Sequence, residues 1–192
     1  MARHGDTDSD LKQLATQDRV EAMDLVVERY RNRLVHHAFG IVKDQELARD
    51  AVQEVFIKAM REQRFFDESF EVRAWLFRVT RNLCFNIVRD RRRRSGILAN
   101  MPEESVPQAR TRAVGETVYG GQVRAELMTA LEELTPNHRE ILLLRYYGDL
   151  SYVEIASALE IRLGTVMSRL SRARTSLHQV LGDEHPLAQG LH

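Results

Sequence analysis

The sequence predicts an all-α chain of two small helical domains joined by a flexible linker, and three observations predict it. From Leu11 to Arg94 apolar residues recur at spacings of three and four, with no proline and a single glycine, Gly40; this is the periodicity of amphipathic helices. Ser95 to Gly121 breaks the pattern with Pro102, Pro107, Gly115, Gly120 and Gly121, a stretch too long for a turn. Periodicity resumes at Val123 and ends in a helix, a tight turn and a basic helix. At 192 residues the chain can form one large domain or two small ones, and the linker favours two. The expected layout is a disordered segment at 1–10, a helical domain at 11–94, the linker at 95–122, a second helical domain at 123–182 and a tail at 183–192.

In the first domain Leu25, Val26, Tyr30, Leu34 and Ala38 make one apolar stripe, and Leu47, Ala51, Val52, Val55, Phe56 and Ala59 a second. A third helix begins at about Val72, with Trp75, Leu76, Val79, Leu83 and Ile87 on its buried side and an arginine cluster, Arg89 to Arg94, at its end. Between the second and third helices, Arg64 to Phe70 reads as a loop carrying exposed aromatics. In the second domain Leu127, Leu131 and Leu134 share a helix, and Thr135 caps the next, with Pro136 at its first position.

The C-terminal pattern is the most specific. Ser151 and Glu154 stand as Ser-x-x-Glu, a reciprocal cap in which the hydroxyl accepts from the backbone three residues on and the carboxylate reaches back. Val166, Leu170, Ala173, Leu177 and Leu181 then form a buried stripe. Opposite it lie Thr165, Ser168, Arg172 and Thr175, flanked by Met167, Arg169, Ser171 and Arg174, with Arg162 in the preceding turn and no acid from Ile161 to Leu181. A helix-turn-helix places such a second helix in the major groove and holds phosphates with the basic side chains around it. The competing reading is a solvated basic face on an ordinary helical hairpin.

Charge and composition narrow the class. The 28 basic and 28 acidic residues cancel, but the bases concentrate at 89–94 and 162–174 and the acids at 6–18, 44–54 and 132–140, so different surfaces suit different partners. Cys84 is the only cysteine, which leaves no internal disulfide or cysteine zinc cluster and fits a small core residue in a cytoplasmic protein. No apolar stretch approaches the roughly 20 residues that span a bilayer. The seven histidines show no metal-ligand spacing, and no nucleophile, base and orienting acid stand together. Neither a cofactor nor an enzyme activity is expected.

Three segments, in order, carry a resemblance: Ala48-Arg-Asp-Ala-Val-Gln-Glu-Val-Phe56, Ala74-Trp-Leu-Phe-Arg-Val-Thr-Arg-Asn-Leu83 and Leu163-Gly-Thr-Val-Met-Ser-Arg-Leu-Ser-Arg-Ala-Arg174. Together they resemble the extracytoplasmic-function (ECF) sigma factors of bacteria, over nearly the whole chain from about Leu11 to Leu181. The resemblance implies a dissociable initiation subunit of RNA polymerase, with a sigma-2-like helical bundle first and a sigma-4-like helix-turn-helix last. It implies core polymerase and promoter DNA as partners, the DNA being duplex at the −35 element and an opened non-template strand at the −10 element. Members are commonly held inactive by an anti-sigma factor.

Carried over by residue, the resemblance puts polymerase binding on Asp50, Gln53 and Glu54, which share a helical face at i, i+3 and i+4; a solvated acidic face is the alternative. It puts capture of an unstacked −10 base on Phe65, Phe66 and Phe70 with Asn82, with Arg78 and Arg81 near phosphates and Arg89, Arg91, Arg92, Arg93 and Arg94 along the upstream duplex. Stacking platforms and basic grooves suit an opened strand. The −35 readers map to Met167, Ser168, Ser171 and Arg172, with Arg162, Thr165 and Arg169 on phosphates. The chain departs from the family pattern at Met167, where a base is usual, at Glu160, where glycine is usual, at Arg49, where glutamate is usual, and at Asn86, often an aspartate. Glutamate lacks glycine's ease at positive φ. A helix-turn-helix regulator that acts without joining polymerase is the alternative function.

Overall fold

The computed structural model describes residues 8–98 and 118–182, and every regular element among them is a helix. A short α1 (Ser9–Ala15) leads into α2 (Arg19–Val42). Asp18 starts α2: its Oδ1 accepts from the Val20 N–H at 2.8 Å and the Glu21 N–H at 3.0 Å, closing two of the donors that a helix N-terminus leaves open. Lys43, left-handed at φ 56°, ends it. Asp44 repeats the cap for α3 (Gln45–Arg61), accepting from Glu46 and Leu47, both at 3.1 Å. After the aromatic loop comes α4 (Val72–Leu98).

The chain divides into two compact units, the first built on these four helices. Here α2 packs against α1, α3 and α4, and α3 against α4. Val26, Tyr30, Leu34 and Ala38 of α2 meet in a core with Val52, Val55 and Phe56 of α3 and Leu76, Phe77 and Cys84 of α4, each large side chain contributing roughly 1.5 to 3 kcal/mol by leaving water. Burial pushes the Cys84 thiol up to about 12, so it is a packing group and not a nucleophile. Buried Tyr30 donates its hydroxyl to Asp8 Oδ1 at 3.2 Å, and desolvation first, then the Asp8 charge, raises its pKa.

Four expectations change. The segment expected to be disordered at 1–10 is helical from Ser9, with Leu11 fully buried; residues 1–7 lie outside the described residues. The linker expected at 95–122 is shorter, because α4 runs to Leu98 and α5 (Val118–Glu133) passes through Gly120 and Gly121; residues 99–117 lie outside the description, as does the tail at 183–192. Leu25 is 38% exposed and leaves the α2 stripe, while His37 joins it. On α4 the buried stripe is Leu76, Phe77, Thr80 and Cys84, turned from the expected Trp75, Val79 and Leu83, which are half-buried. Thr80 can sit at the centre because its hydroxyl donates to the Leu76 carbonyl at 2.8 Å, so no polar group is stranded.

The second unit is built on α5, α6 (Pro136–Leu142), α7 (Tyr152–Leu159) as far as Ala156, and α8 (Leu163–Leu181), with α6 and α5 packed against α8. Thr135 Oγ1 accepts from the His138 N–H at 3.4 Å and Pro136 takes the first turn, as the sequence predicts. Arg139 folds back onto the end of α5, donating to the carbonyls of Leu131 at 2.6 Å, Leu134 at 3.2 Å and Glu132, a cation satisfying C-terminal carbonyls. The chain leaves α6 through a wider π-type turn, Leu143–Tyr147. Arg145 then clamps the next corner, donating to the Leu150 carbonyl at 2.9 Å and lying 5.6 Å from the centre of the Tyr152 ring.

His37 gives a direct test of the first core. It is 3% exposed, its ring meets Phe77 edge-on at 5.4 Å, and its Nε2 has no partner among the described residues. Burial first, then the charges of Arg81 and His36, lowers its pKa from 6.5 to about 4. The unfolded chain takes up this proton below pH 6.5 while the core refuses it until about pH 4, so stability falls as pH drops through that window. Urea unfolding is expected to show about 2 kcal/mol less stability at pH 5 than at pH 7 from this group. In His37→Leu that share of the pH dependence disappears.

Candidate nucleic-acid interface

The turn before α8 aims it. Ser151 and Glu154 form the predicted reciprocal cap, Glu154 Oε2 accepting from the Ser151 N–H at 2.7 Å and Ser151 Oγ from the Glu154 N–H at 3.2 Å. At the other end of α7, Glu160 is left-handed at φ 55° and the Ile161 N–H donates to the Ala156 carbonyl at 3.0 Å. That is the helix-ending turn glycine favours, here made by glutamate at a strain cost of about 1 kcal/mol. Val166, Leu170, Ala173 and Leu177 are buried, while Leu181, expected among them, is half-buried.

With that stripe inside, the opposite face is fixed by 100° per residue. Met167, Ser168, Ser171, Arg172 and Thr175 are exposed, Thr165 and Arg169 half-buried, and Arg162 exposed just before the helix. Ser168 donates to the Thr165 carbonyl at 3.1 Å, Thr175 to Ser171 at 3.2 Å and Arg172 Nε to Ser168 at 3.3 Å. Ser168, Thr175 and the Arg172 Nε thus rest on carbonyls of their own helix. Of the seven predicted −35 residues, Met167, Ser168, Ser171 and Arg172 lie on the outward side of α8, half-buried Thr165 and Arg169 lie nearer the buried stripe, and Arg162 stands just before the helix.

In the first unit α4 carries a second basic face. Arg78 and Arg81 are half-buried and Asn82, Arg89 and Arg92 exposed, all on the side away from Leu76, Thr80 and Cys84. Phe85, which the sequence reading passed over, is 44% exposed in the middle of this face with the Arg81 guanidinium 4.7 Å from its ring centre. Arg89 bonds Asn86 at 3.0 Å. Arg91 points elsewhere, pairing with Asp44 at 3.1 Å. Asp44 is held below the usual carboxylate range by the Leu47 N–H first and by Arg91 second, so the cluster contains one arginine that braces α3 as well as others that face outward.

The aromatic loop departs from expectation. Phe65 is fully buried and cannot offer a face to a base: Phe66 at 5.1 Å, Phe70 at 5.5 Å and Trp75 at 5.5 Å surround its ring. Phe66, Phe70 and Trp75 are half-buried around it. The loop backbone is held by two cations from earlier helices, Lys12 on the Glu68 carbonyl at 2.6 Å and Arg19 on the Glu62 carbonyl at 2.8 Å. Arg19 also lies 5.3 Å from the Phe66 ring centre. These contacts join positions more than 40 apart in sequence, and no local pattern could have signalled them.

On α3, Asp50, Gln53 and Glu54 are exposed on the side opposite Ala51, Val52 and Val55. Glu54 pairs with Lys58 at 2.9 Å, both half-exposed, a contact of small energy in water. Half-buried Ile57 and Met60, 56% exposed, continue the face as apolar surface. A polar edge beside exposed apolar groups is the composition of a protein-docking surface.

A family model described as sigma-70 region 2 matches residues 26–94, and one described as sigma-70 region 4 matches residues 124–177. The ECF RNA polymerase sigma factor SigE of Mycolicibacterium smegmatis is 31% identical over 172 residues, covering 86% of this chain and 63% of that relative. SigM of Bacillus subtilis, also an ECF RNA polymerase sigma factor, is 28% identical over 81% of this chain and 92% of its own length. The chain belongs to the ECF sigma factor family. A solved structure, the sigma factor RpoE in complex with the anti-sigma factor NepR from Bartonella quintana, superposes with a TM-score of 0.66 at 26% identity, covering 84% of this chain and 97% of that one. The region 2 match spans the α3 face, the aromatic loop and the basic face of α4, and the region 4 match holds α8 up to Leu177.

Phe65 separates anchoring from contact in this sigma factor's loop. Phe65→Ala is expected to cost about 3 to 5 kcal/mol, as for a fully buried phenylalanine. Phe66→Ala should cost about 1 kcal/mol. Urea unfolding of the two variants checks the order, and equal losses would contradict it.

Proposed function

We propose that this chain acts in the cytoplasm as a dissociable, non-catalytic subunit of RNA polymerase. It directs promoter-specific initiation by gripping two promoter elements while seated on the core enzyme. One observation carries the reading: a single chain joins an exposed Asp50–Gln53–Glu54 face with apolar Ile57 and Met60 to two separate basic helical faces. A regulator that stays off polymerase has no use for the first of these. Asp50, Gln53 and Glu54 meet the core enzyme. On α8, Arg172, Ser168, Ser171 and Met167 read base edges of the −35 duplex while Arg162, Thr165 and Arg169 hold phosphates, because an arginine fork suits guanine and small hydroxyls suit several bases.

At the −10 element, Phe66 and Phe70 with Asn82 receive an unstacked base of the non-template strand, Phe65 serving as the post that holds them. Arg78, Arg81, Arg89 and Arg92 neutralise phosphates, which adds salt-dependent affinity and little sequence choice. The two DNA-binding units, at 11–94 and 123–182 and tethered by the segment between them, raise each other's effective concentration when both elements are correctly spaced. No helix among the described residues is long and apolar enough to cross a membrane. An anti-sigma factor, of the kind seen on the Bartonella relative, covers the polymerase-binding faces in the inactive state.

Purified protein plus core polymerase is expected to start transcription from a two-element promoter, and the double variant Asp50→Lys, Glu54→Lys to lose association with core while keeping its helical circular dichroism. Tight duplex binding by the wild type with no core association would support the stand-alone regulator. Arg172→Ala should relax choice at one base pair of the upstream element by about 1 to 3 kcal/mol, and Arg92→Ala should weaken all promoters alike. A panel of promoter variants distinguishes the two patterns, and equal loss across the panel for Arg172→Ala counts against base reading.

A further inference from the structure

Between Gly164 and Thr175 the outward face of α8 carries hydroxyls, an arginine and one exposed apolar side chain, Met167, which is 54% exposed. The helix core is filled without it by Val166, Leu170, Ala173 and Leu177. Ser168, Ser171 and Thr175 run along the middle of the face, with Arg172 on one flank and Met167 on the other, as 100° per residue dictates. A thioether this exposed contributes little to the core. Its surroundings point to a ligand that is polar nearly everywhere and apolar at one spot.

Gly164, one turn before Met167, supplies a second observation. A Cβ built on it would meet nothing within 4 Å, and its φ is not in the left-handed range. The fold therefore has no need of glycine at this position. Leaving it bare lowers the surface beside Met167 at the start of the helix, so the backbone can come closer to whatever the face meets. In a major groove each base edge offers donors and acceptors, and the hydrocarbon group on offer is the 5-methyl of thymine. Methionine cannot donate to guanine and accepts only weakly through sulfur, but its unbranched, polarisable chain adapts to a methyl group.

We infer that Met167 selects thymine at one base pair of the upstream element through contact between its side chain and the thymine 5-methyl group, with Gly164 giving the helix room to approach. The inference rests on the reading of α8 as the helix that enters duplex promoter DNA. It adds a specificity contact that hydrogen bonding does not supply, and it predicts sensitivity to a single methyl group.

The test uses reconstituted holoenzyme and promoter duplexes randomised across the upstream element, from which the preferred sequence is selected by transcription. Each thymine of that sequence is then replaced, one at a time, by deoxyuridine, which keeps every hydrogen-bonding group and removes only the methyl. Wild-type holoenzyme is expected to lose about fourfold in initiation at one position, the effect of one methyl-sized apolar contact. Met167→Ala holoenzyme is expected to be indifferent at that same position while still requiring the element. An upstream element selected without thymine, a wild type indifferent to every replacement, or a Met167→Ala enzyme that keeps the fourfold loss would each overturn the inference and leave the role of α8 standing. Selection of no upstream sequence at all, with initiation intact, would instead overturn the reading of α8 itself.

Discussion

A helix that buries one stripe must present the rest of its circumference to solvent, and the exposed faces of α3, α4 and α8 follow from that constraint. On α8 the burial of Val166, Leu170, Ala173 and Leu177 turns Ser168, Ser171 and Arg172 outward. On α4 the burial of Leu76, Thr80 and Cys84 does the same for Asn82, Phe85, Arg89 and Arg92, and on α3 Ala51, Val52 and Val55 expose Asp50, Gln53 and Glu54. Hydrophobic burial supplies the energy and thereby also the aim. A substitution that rotated any of the three stripes would move a contact face with it.

Caps and corners fix the remaining freedom. Asp18 and Asp44 set where α2 and α3 begin, and Asp44 serves twice because Arg91 of α4 also reaches it. In the second unit the Ser151–Glu154 cap starts α7 and the left-handed Glu160 ends it, so both ends of the helix that leads into α8 are defined. These are short-range hydrogen bonds of modest individual worth. Their effect is directional, since they fix where the helix before α8 starts and stops.

Basic residues are concentrated toward the end of α4 and on α8 and acids elsewhere, which reconciles a net charge of zero with nucleic-acid binding. An acidic face on α3 and arginine-bearing faces on α4 and α8 can each attract a different partner, and field strength near a surface depends on the local cluster and not on the total. Basic residues are also used internally. Lys12 and Arg19 spend their charge on loop carbonyls, Arg139 on the carbonyls that end α5 and Arg145 on the Leu150 carbonyl. Counting arginines therefore overstates the phosphate-facing surface.

The sequence by itself determined the all-α class, the two-unit organisation, the reciprocal cap at Ser151 and Glu154, the Thr135–Pro136 helix start and the outward face of α8. Each of these is written in interactions between residues three or four apart, which periodicity and capping patterns report directly. Only the tertiary structure decided that Phe65 is an anchor, that Trp75 and Val79 lie at the edge of the α4 stripe, that Leu25 yields its place to His37, and that Arg91 braces α3. The spacing of the loop phenylalanines does not tell which of them is buried, because the loop's pose depends also on Trp75 of α4 and on cations of α1 and α2 that hold its backbone. Packing against several neighbours at once selects which side of an ambiguous helix faces inward, and that choice is made between segments far apart along the chain.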